Sequence, residues 1–194
     1  MDPLLDFYNR ALGTYGPESP RALGWRDDHS QRSRFAVLAA VGEMGSRTVL
    51  DEGSGLGDLY PFLRERYPDM RYTGIDINPE LVLAAREKYP EAEFHAADFT
   101  TYQHAPFDYV LSSGALTYKV PNYKEFYFGQ VRKMYELATI AAAFNMLDIH
   151  RIGEDPTYAA YDPAEVEAYC RTFVRDVRMR HDYSDEDFTL YLYR

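Results

Sequence analysis

The stretch Thr48-Val-Leu-Asp-Glu-Gly-Ser-Gly-Leu-Gly-Asp58 decides the fold of this chain. Its first three residues are β-branched or aliphatic and predict a short buried strand. The glycines that follow predict a tight loop, which a ligand can approach without meeting a Cβ atom. Asp58 predicts an N-cap for a helix that begins at Leu59. Because a helix N-terminus presents free N–H groups and a partial positive charge, we expect an anionic group of a ligand over this loop.

The spacing of the glycines indicates the kind of ligand. They follow two acids in a G-x-G-x-G pattern, whereas dinucleotide-binding proteins carry G-x-G-x-x-G. The pattern resembles motif I of the class I S-adenosyl-L-methionine (SAM) dependent methyltransferases, a resemblance that runs from about Arg47 to the C-terminus. Glu52, which lies between the acid Asp51 and the first glycine, departs from the small or apolar residue that the family usually carries at this position. A plain glycine turn between a strand and a helix is the alternative interpretation.

Strands and helices alternate along the rest of the chain. Strands are predicted at 48–50, 70–75, 93–96, 107–112, 138–145, 174–183 and 187–193. Such alternation predicts an open parallel sheet with helices on both faces. Only residues 184–186 lie between the last two predicted strands, too few for a crossover helix, so these strands are expected to pair antiparallel. The resemblance implies an α/β, Rossmann-like, seven-stranded sheet in which only the last strand is reversed.

The length of 194 residues fits a single domain, 1–194. Residues 1–45 carry two predicted helices, near 3–12 and 30–45, and form a candidate helical cap or lid. Residues 46–194 form the predicted Rossmann-like core. The single cysteine, Cys170, follows Val166 at helical spacing and is predicted to be a core residue rather than a nucleophile.

Composition limits the possible partners and compartments. The net charge of −10 and the absence of a basic patch argue against nucleic acid as a partner. No apolar run approaches a membrane span, and the N-terminus lacks the basic region of a signal peptide. With no intrachain disulfide possible, we expect a cytoplasmic protein without a membrane partner. Whether it is a monomer or a homodimer stays open.

The resemblance implies a set of cofactor-binding residues at the ends of the first strands. The glycine loop would place Asp51, Glu52, Gly53, Ser54, Gly55 and Gly57 beneath the methionine moiety of SAM. Asp76, at the end of the second strand, would accept hydrogen bonds from the ribose hydroxyls, with a helix cap as the alternative role. Ile77 and Asn78 would flank the adenine. Asp98 would accept a hydrogen bond from the exocyclic amine of the adenine, with an ordinary turn acid as the alternative. Phe99 would meet the edge and face of the adenine.

Two further residues are expected near the methionine end of the cofactor. Ser112 follows the fourth strand at the position of the family's motif IV, although strand-end packing explains it equally well. The sequence from Ser112 to Leu116 lacks the Asn/Asp-Pro-Pro-aromatic motif of methyltransferases that act on nucleobase or amide nitrogens. Arg34, together with Gln31, is a candidate partner of the methionine carboxylate, with a solvated helix face as the alternative.

The acceptor site is harder to predict from sequence. Aromatic faces stabilise a sulfonium cation, and the chain has 18 tyrosines. The N-terminal candidates for closing over the cofactor are Tyr8, Tyr15 and Trp25, with Trp25 also assigned to the acceptor. The remaining residues expected to face the acceptor are Tyr118, Asn145, Asp148, Tyr158 and Tyr161.

Methyl transfer is an in-line displacement that needs alignment and a dry pocket, and sometimes a general base. His29, His181 and His150 are the candidates for that base, and the sequence shows no partner for any of them. No metal-ligand spacing occurs, so no metal is expected. The sequence therefore predicts a SAM-dependent methyltransferase acting on a small molecule. The alternatives are a catalytically silent SAM-binding or assembly protein, an NAD-dependent reductase, and a protein or RNA methyltransferase.

Overall fold

The computed structural model describes residues 2–194. Its strands are β1 (Thr48–Glu52), β2 (Arg71–Asp76), β3 (Glu93–Ala96), β4 (Phe107–Ser112), β5 (Ala138–Asp148), β6 (Ala160–Tyr161), β7 (Asp176–Arg180) and β8 (Asp187–Tyr193). Its helices are α1 (Pro3–Tyr15), α2 (Asp28–Ala39), α3 (Leu59–Arg66), α4 (Pro79–Lys88), α5 (Tyr123–Leu137), α6 (Ile149–Ile152) and α7 (Pro163–Arg171). Two short 3₁₀ turns cover Pro20–Leu23 and Ala115–Thr117.

The strands form one sheet in the order β3-β2-β1-β4-β5-β8-β7. The first five strands are parallel, while β8 pairs antiparallel with both β5 and β7. The Rossmann-like sheet and its antiparallel hairpin are therefore confirmed. An eighth strand, β6, was missed, because a two-residue pairing with β5 is too short to leave a periodic pattern.

Two hydrophobic layers cover the sheet. On one face, β1 and β5 pack with α5 and α7 around Val131, Phe144 and Cys170. On the other face, α2, α3 and α4 pack around Leu38, Leu63 and Val82. Cys170 is fully buried, and burial raises the pKa of its thiol to about 12, so its predicted core position is confirmed.

Local signals place most helix ends correctly. The Asn78 side chain caps α4 by accepting from the Glu80 N–H at 3.0 Å, as predicted. Asp58 is the N-cap residue of α3, as predicted, but its side chain makes no capping bond to that helix. That carboxylate instead accepts from Gln31 at 3.2 Å and Lys88 at 2.8 Å, and it thereby ties α2 and α4 together.

The N-terminal helices lie over the carboxyl edge of the sheet. An amide pair between Asn9 of α1 and Asn78 of α4, 2.8 Å apart, holds α1 in place. A small cluster of Ala22, Leu56 and Leu81 packs beneath Tyr8. Helix α2 begins at Asp28 and ends at Ala39, earlier at both ends than predicted.

Within residues 2–194, no helix is both long enough and apolar enough to cross a bilayer.

Candidate functional site

A cavity of about 630 Å³ opens at the carboxyl edge of the sheet. It lies where β1 is flanked by β2 on one side and β4 on the other, which is the switch point at which open α/β sheets bind ligands. Its floor is the loop after β1 and its walls come from α1, α2, α5 and the loops after β2, β3 and β4. The volume lies within the range of small-molecule sites.

Glycine is required at two positions of the loop after β1. Gly53 and Gly55 have φ of +68° and +53°, which side-chain-bearing residues rarely adopt. A Cβ atom on Gly53 would lie 2.1 Å from the Cβ of Ala115, and one on Gly55 would lie 2.9 Å from the Leu23 side chain. Both glycines line the cavity, whereas Gly57 does not and packs against the Phe94 ring. The predicted contact of Gly57 with the ligand is therefore not supported.

Asp76 is held in place by two backbone N–H groups. Its Oδ2 accepts from Gly55 and its Oδ1 from Asn78, both at 2.8 Å. Burial raises the pKa of this carboxyl, and the two N–H groups act in the opposite direction. Because each carboxylate oxygen accepts more than one hydrogen bond, Asp76 can still receive two hydroxyl groups from a ligand in the cavity. Since Asn78 caps α4, the alternative role of Asp76 as that cap is excluded.

The other predicted residues after β2 and β3 also reach the cavity wall. Ile77 is exposed, Asn78 is buried, and Phe99 is buried with Lys133 5.2 Å above its ring. Asp98 is exposed, and its Oδ1 accepts from the N–H and hydroxyl of Thr100. Its Oδ2 is left to face a ligand. The structure thus brings these residues together, and their contacts with a cofactor stay predictions.

Two buried carboxyl groups end β1 and line the cavity from below. The Tyr72 hydroxyl donates to Asp51 at 2.5 Å, and the Ser112 hydroxyl donates to Glu52 at 2.6 Å. Burial raises the pKa of Asp51 to about 8 and that of Glu52 to about 7. Both groups therefore change charge near neutral pH at the floor of the cavity.

Ser112 does not line the cavity, contrary to the prediction. It is fully buried, and its hydroxyl is engaged by Glu52. The next two residues, Ser113 and Gly114, follow the end of β4 and line the cavity instead. Ser112 positions Glu52 rather than a ligand.

Arg34 lines the cavity, but the terminal nitrogens of its guanidinium already make hydrogen bonds and ion pairs with other residues of the protein. One terminal nitrogen donates to the backbone and side-chain oxygens of Ser30, and the other pairs with Asp187 and Glu186. Arg34 and Asp187 are both almost fully buried, and the Trp25 ring lies 5.1 Å from the guanidinium carbon. Arg34 therefore has no free terminal N–H group with which to make the predicted pairing with a methionine carboxylate. The companion candidate, Gln31, also lines the cavity and donates to Asp58.

The aromatic candidates divide into two groups. Tyr8, Trp25 and Tyr158 line the cavity. Tyr15 is exposed outside it, and Tyr118 donates to the Pro3 carbonyl at 3.3 Å behind α1.

Three more predicted acceptor residues lie beneath the cavity wall. Tyr161 is fully buried and donates to the Leu116 carbonyl at 2.8 Å. Asn145 donates to Thr189 at 2.6 Å, and Asp148 caps α6. Their predicted contact with an acceptor is not supported, because internal hydrogen bonds of the core take up these polar groups.

None of the three candidate histidines lines the cavity. His29 and His181 are exposed, and His150 lies on the surface, 3.5 Å from Asp162. The structure gives no support to a histidine base. Across the part of the chain that is described, no three His, Cys, Asp or Glu side chains cluster as metal ligands would.

Sequence reasoning missed the contribution of α5. Gln130 lines the cavity, is 8% exposed, and its Oε1 has no hydrogen-bond partner among residues 2–194. The sequence did carry an indication of this role, because Gln130 is a polar residue on the same helix face as Tyr127, Val131 and Met134, which are all buried. The Ser54 hydroxyl and the Trp25 indole N–H also lack partners and also belong to the cavity lining. Because buried polar groups usually find partners, these three atoms indicate a ligand with polar edges.

The sheet order, the glycine loop and the acid after β2 together define a class I methyltransferase fold with a site for a nucleoside-bearing ligand. Residues 49–136 match the family described as "Methyltransferase domain". A trans-aconitate 2-methyltransferase of Mycobacterium ulcerans (strain Agy99) is 30% identical over 157 residues, which make up 79% of this chain and 56% of that protein. The chain thus spans little more than half of that relative. Residues 49–136 therefore carry a methyltransferase domain, and these relatives support a class I SAM-dependent methyltransferase.

Solved structures show the same fold. The CcbJ methyltransferase of Streptomyces caelestis superposes with a TM-score of 0.74 at 14% identity, covering 96% of this chain and 98% of that one. The N-methyltransferase NodS of Bradyrhizobium japonicum WM9, in complex with S-adenosyl-L-homocysteine (SAH), gives a TM-score of 0.71 at 15% identity. The match covers 99% of this chain and 98% of that one. At these identities the likeness is one of fold.

Proposed function

We propose that this chain transfers a methyl group from SAM to a small-molecule acceptor by in-line displacement. The observation that carries the proposal is one continuous cavity that runs from Asp76 and the glycine loop to Tyr8, Trp25 and Tyr158. A methyl donor and its acceptor must share one enclosed space, because displacement requires the two reacting atoms to be aligned and in contact.

The residues on the cavity wall fit SAM. We define the cofactor end by the segments 51–55, 76–78 and 97–99, with Gln130. Asp76 would hold the ribose hydroxyls, Ile77 and Phe99 would enclose the adenine, and the loop at Gly53 would admit the methionine moiety. The unpartnered Ser54 hydroxyl and Gln130 carbonyl offer polar contacts that the protein itself leaves unmade. Bound there, SAM would supply a methyl group activated by its sulfonium.

The chain's own contribution would be alignment and exclusion of water. We define the acceptor end by nine residues: Asp2, Tyr8, Trp25, Arg26, Arg34, Asp155, Tyr158, Glu186 and Asp187. Burial raises the pKa of the Tyr8 and Tyr158 phenols, so both stay protonated near neutral pH and serve as walls rather than bases. Proximity and a dry pocket account for catalysis here without a dedicated base.

The acceptor named by the relatives fits this cavity poorly. Trans-aconitate is a tricarboxylate and needs several free cations. Among the described residues, the cavity lining carries two cationic side chains, Arg26 and Arg34. The terminal N–H groups of Arg34 are all engaged, and Arg26 lies on the surface near Glu186. We therefore propose a different small molecule as the acceptor, with no role for nucleic acid given the net charge of −10.

We further propose that residues 1–194 act as one methyltransferase domain in the cytoplasm. Residues 1–45 would be its helical cap and residues 46–194 its core. The support is that α1 and α2 contribute walls to the same cavity as the core strands.

The first test is calorimetric titration of the purified chain with SAM and SAH, with NADH as the control for a reductase. We expect micromolar binding of SAM and SAH and none of NADH. Release of SAH in the presence of an acceptor would then separate an enzyme from a silent SAM-binding protein, which would present the same cavity. Absence of SAH binding by a folded chain would refute the proposed function.

A further inference from the structure

We propose that the acceptor is a small molecule carrying an amine on an aromatic or apolar body, and that carboxylate-bearing acceptors are rejected. This inference rests on the proposed function and concerns only the acceptor end of the cavity.

The first support is the balance of charge at the acceptor end. Four carboxylates are present there, those of Asp2, Asp155, Glu186 and Asp187, against Arg26 and Arg34. Arg34 pairs with both Asp187 and Glu186, and Arg26 lies 3.6 Å from Glu186. An entering anion would have to break these pairs, whereas an entering cation meets surplus negative charge.

The second support is that the charged groups at the acceptor end are held in place by contacts within the protein. Both side-chain contacts of Asp155 are with backbone N–H groups, those of Thr157 at 2.7 Å and Tyr158 at 2.8 Å. This carboxylate is therefore held fixed as a negative charge at the wall. Glu186 is more accessible, with 40% of its side chain exposed. A cation thus finds preorganised carboxylates there, while the donors left to an anion on the buried side chains are the Arg34 Nε–H and the Trp25 indole N–H.

The third support is the aromatic and apolar wall. Tyr8 and Tyr158 present neutral phenol rings, and Leu5, Leu147 and Ile152 complete the lining. Aromatic faces attract an ammonium group by about 0.5–2 kcal/mol each and are indifferent or repulsive to a carboxylate. The same surface buries an apolar body, so an amine with such a body is complementary at both of its ends.

The reaction balances with the donor that the proposed function supplies. The ammonium first gives a proton to water at the cavity mouth. The free nitrogen pair then forms an N–C bond to the methyl carbon as the S–C bond breaks, and sulfur keeps that electron pair. The products are SAH and the methylated ammonium.

The experiment uses the full chain saturated with SAH and several matched series of probes. Each series places an amine, an alcohol or a carboxylate on one body, such as phenethylamine, 2-phenylethanol and phenylacetate. Binding is measured by calorimetry, and SAH release is measured with SAM in place of SAH. We expect the amine to bind at least tenfold more tightly than the carboxylate in every series, with the alcohol between them. Equal binding, tighter binding of the carboxylate, or no binding by any amine would overturn the proposal.

A charge variant makes the test specific to the acceptor end. Glu186→Gln should reduce the preference for amine over carboxylate at least threefold, because it removes a wall carboxylate and leaves Arg26 with Asp27 as its acidic partner. Glu43→Gln, at an exposed glutamate that faces Arg66, is the matched control and should leave the preference unchanged. An unchanged preference in Glu186→Gln would remove Glu186 from the recognition. Loss of SAH binding by the native chain would instead refute the proposed function, so the two failures are distinguishable.

Discussion

The cofactor end and the acceptor end of the cavity are held together by different kinds of contact. At the cofactor end, neighbouring loops are joined through backbone N–H groups: Gly55 and Asn78 donate to Asp76, and Ser54 donates to the Ile75 carbonyl at 2.9 Å. At the acceptor end, side chains far apart in the chain meet, as in the pair of Arg34 and Glu186, which are 152 residues apart. Substitutions at the cofactor end should therefore alter binding more than folding, and substitutions at the acceptor end should do the reverse.

The largest expected effect is at the buried ion pair of the acceptor end. Arg34→Met should lower the free energy of unfolding by about 3 kcal/mol, because Asp187 is left buried and unpaired. The double variant Arg34→Met/Asp187→Leu should regain most of that loss, since no unpaired charge remains. Denaturant unfolding measures both. A tenfold loss of SAH affinity in the folded double variant would show that Arg34 reaches the cofactor, and the division between the two ends would fail.

The next effect is at the cofactor end. Asp76→Ala should weaken SAH binding at least tenfold, about 1.4 kcal/mol, because two ligand hydroxyls lose their acceptor. Asp98→Ala should cost less, since that carboxylate is exposed and half engaged by Thr100. Calorimetry with both variants decides the order. An unchanged affinity in Asp76→Ala would place the ribose elsewhere, and a larger loss in Asp98→Ala would reverse the ranking of the two acids.

A third prediction concerns the unpartnered amide on α5. Gln130→Leu should raise the free energy of unfolding by about 1 kcal/mol, because a buried carbonyl without a partner is removed. The same change should weaken SAH binding about fivefold if the ligand supplies the missing hydrogen bond. Gln103→Leu, on an exposed loop, is the control for both measurements. Lower stability together with unchanged SAH affinity would mean that Gln130 serves the core alone.

A fourth prediction concerns the dependence of stability on pH, which arises at the floor of the cavity. Burial raises the pKa of Glu52 to about 7, so the folded state holds a proton that the unfolded chain has lost. Stability should therefore fall as pH rises from the ordinary glutamate value of about 4.5 to about 7, and Glu52→Gln should flatten that slope. Urea unfolding across this range is the measurement. A native chain whose stability rises through this window would contradict the burial of Glu52 as a neutral acid.

The ionisation of Glu52 should also affect the affinity of the cavity for its ligand. SAM carries a sulfonium charge that SAH lacks, so the ratio of SAM to SAH affinity should rise by about threefold between about pH 6 and about pH 8. Glu52→Gln should remove most of that rise. A ratio that falls with pH would mean that the sulfonium lies away from the floor.

Sequence reasoning succeeded where a few consecutive residues decide the outcome. The strand, glycine loop and helix after Thr48 were predicted because strand propensity, positive φ and helix initiation are local properties. The hairpin of β7 and β8 was predicted because the short connection between the two predicted strands leaves no room for a crossover helix. Gly53, Asp76 and Phe99 reach the cavity for the same reason, since the carboxyl ends of parallel strands share one edge.

Sequence reasoning failed where the direction of a side chain depends on distant packing. Tyr158 and Tyr161 are three residues apart, yet the first lines the cavity and the second is buried beneath Leu116. Ser112 and Ser113 are adjacent, but Ser112 ends β4 and is buried against Glu52, whereas Ser113 lies beyond the strand and lines the cavity.

By itself, the sequence determined the class of fold, the position of the glycine loop and the acids that follow β1, β2 and β3. These depend on hydrophobic periodicity and turn chemistry, which act within a few residues. Only the tertiary structure decided that Arg34 pairs with Asp187, that Gln130 joins the cavity wall, and that the candidate histidines lie outside it. Those outcomes depend on which elements meet across the sheet, because a buried charge or amide takes whichever partner the packing brings within reach.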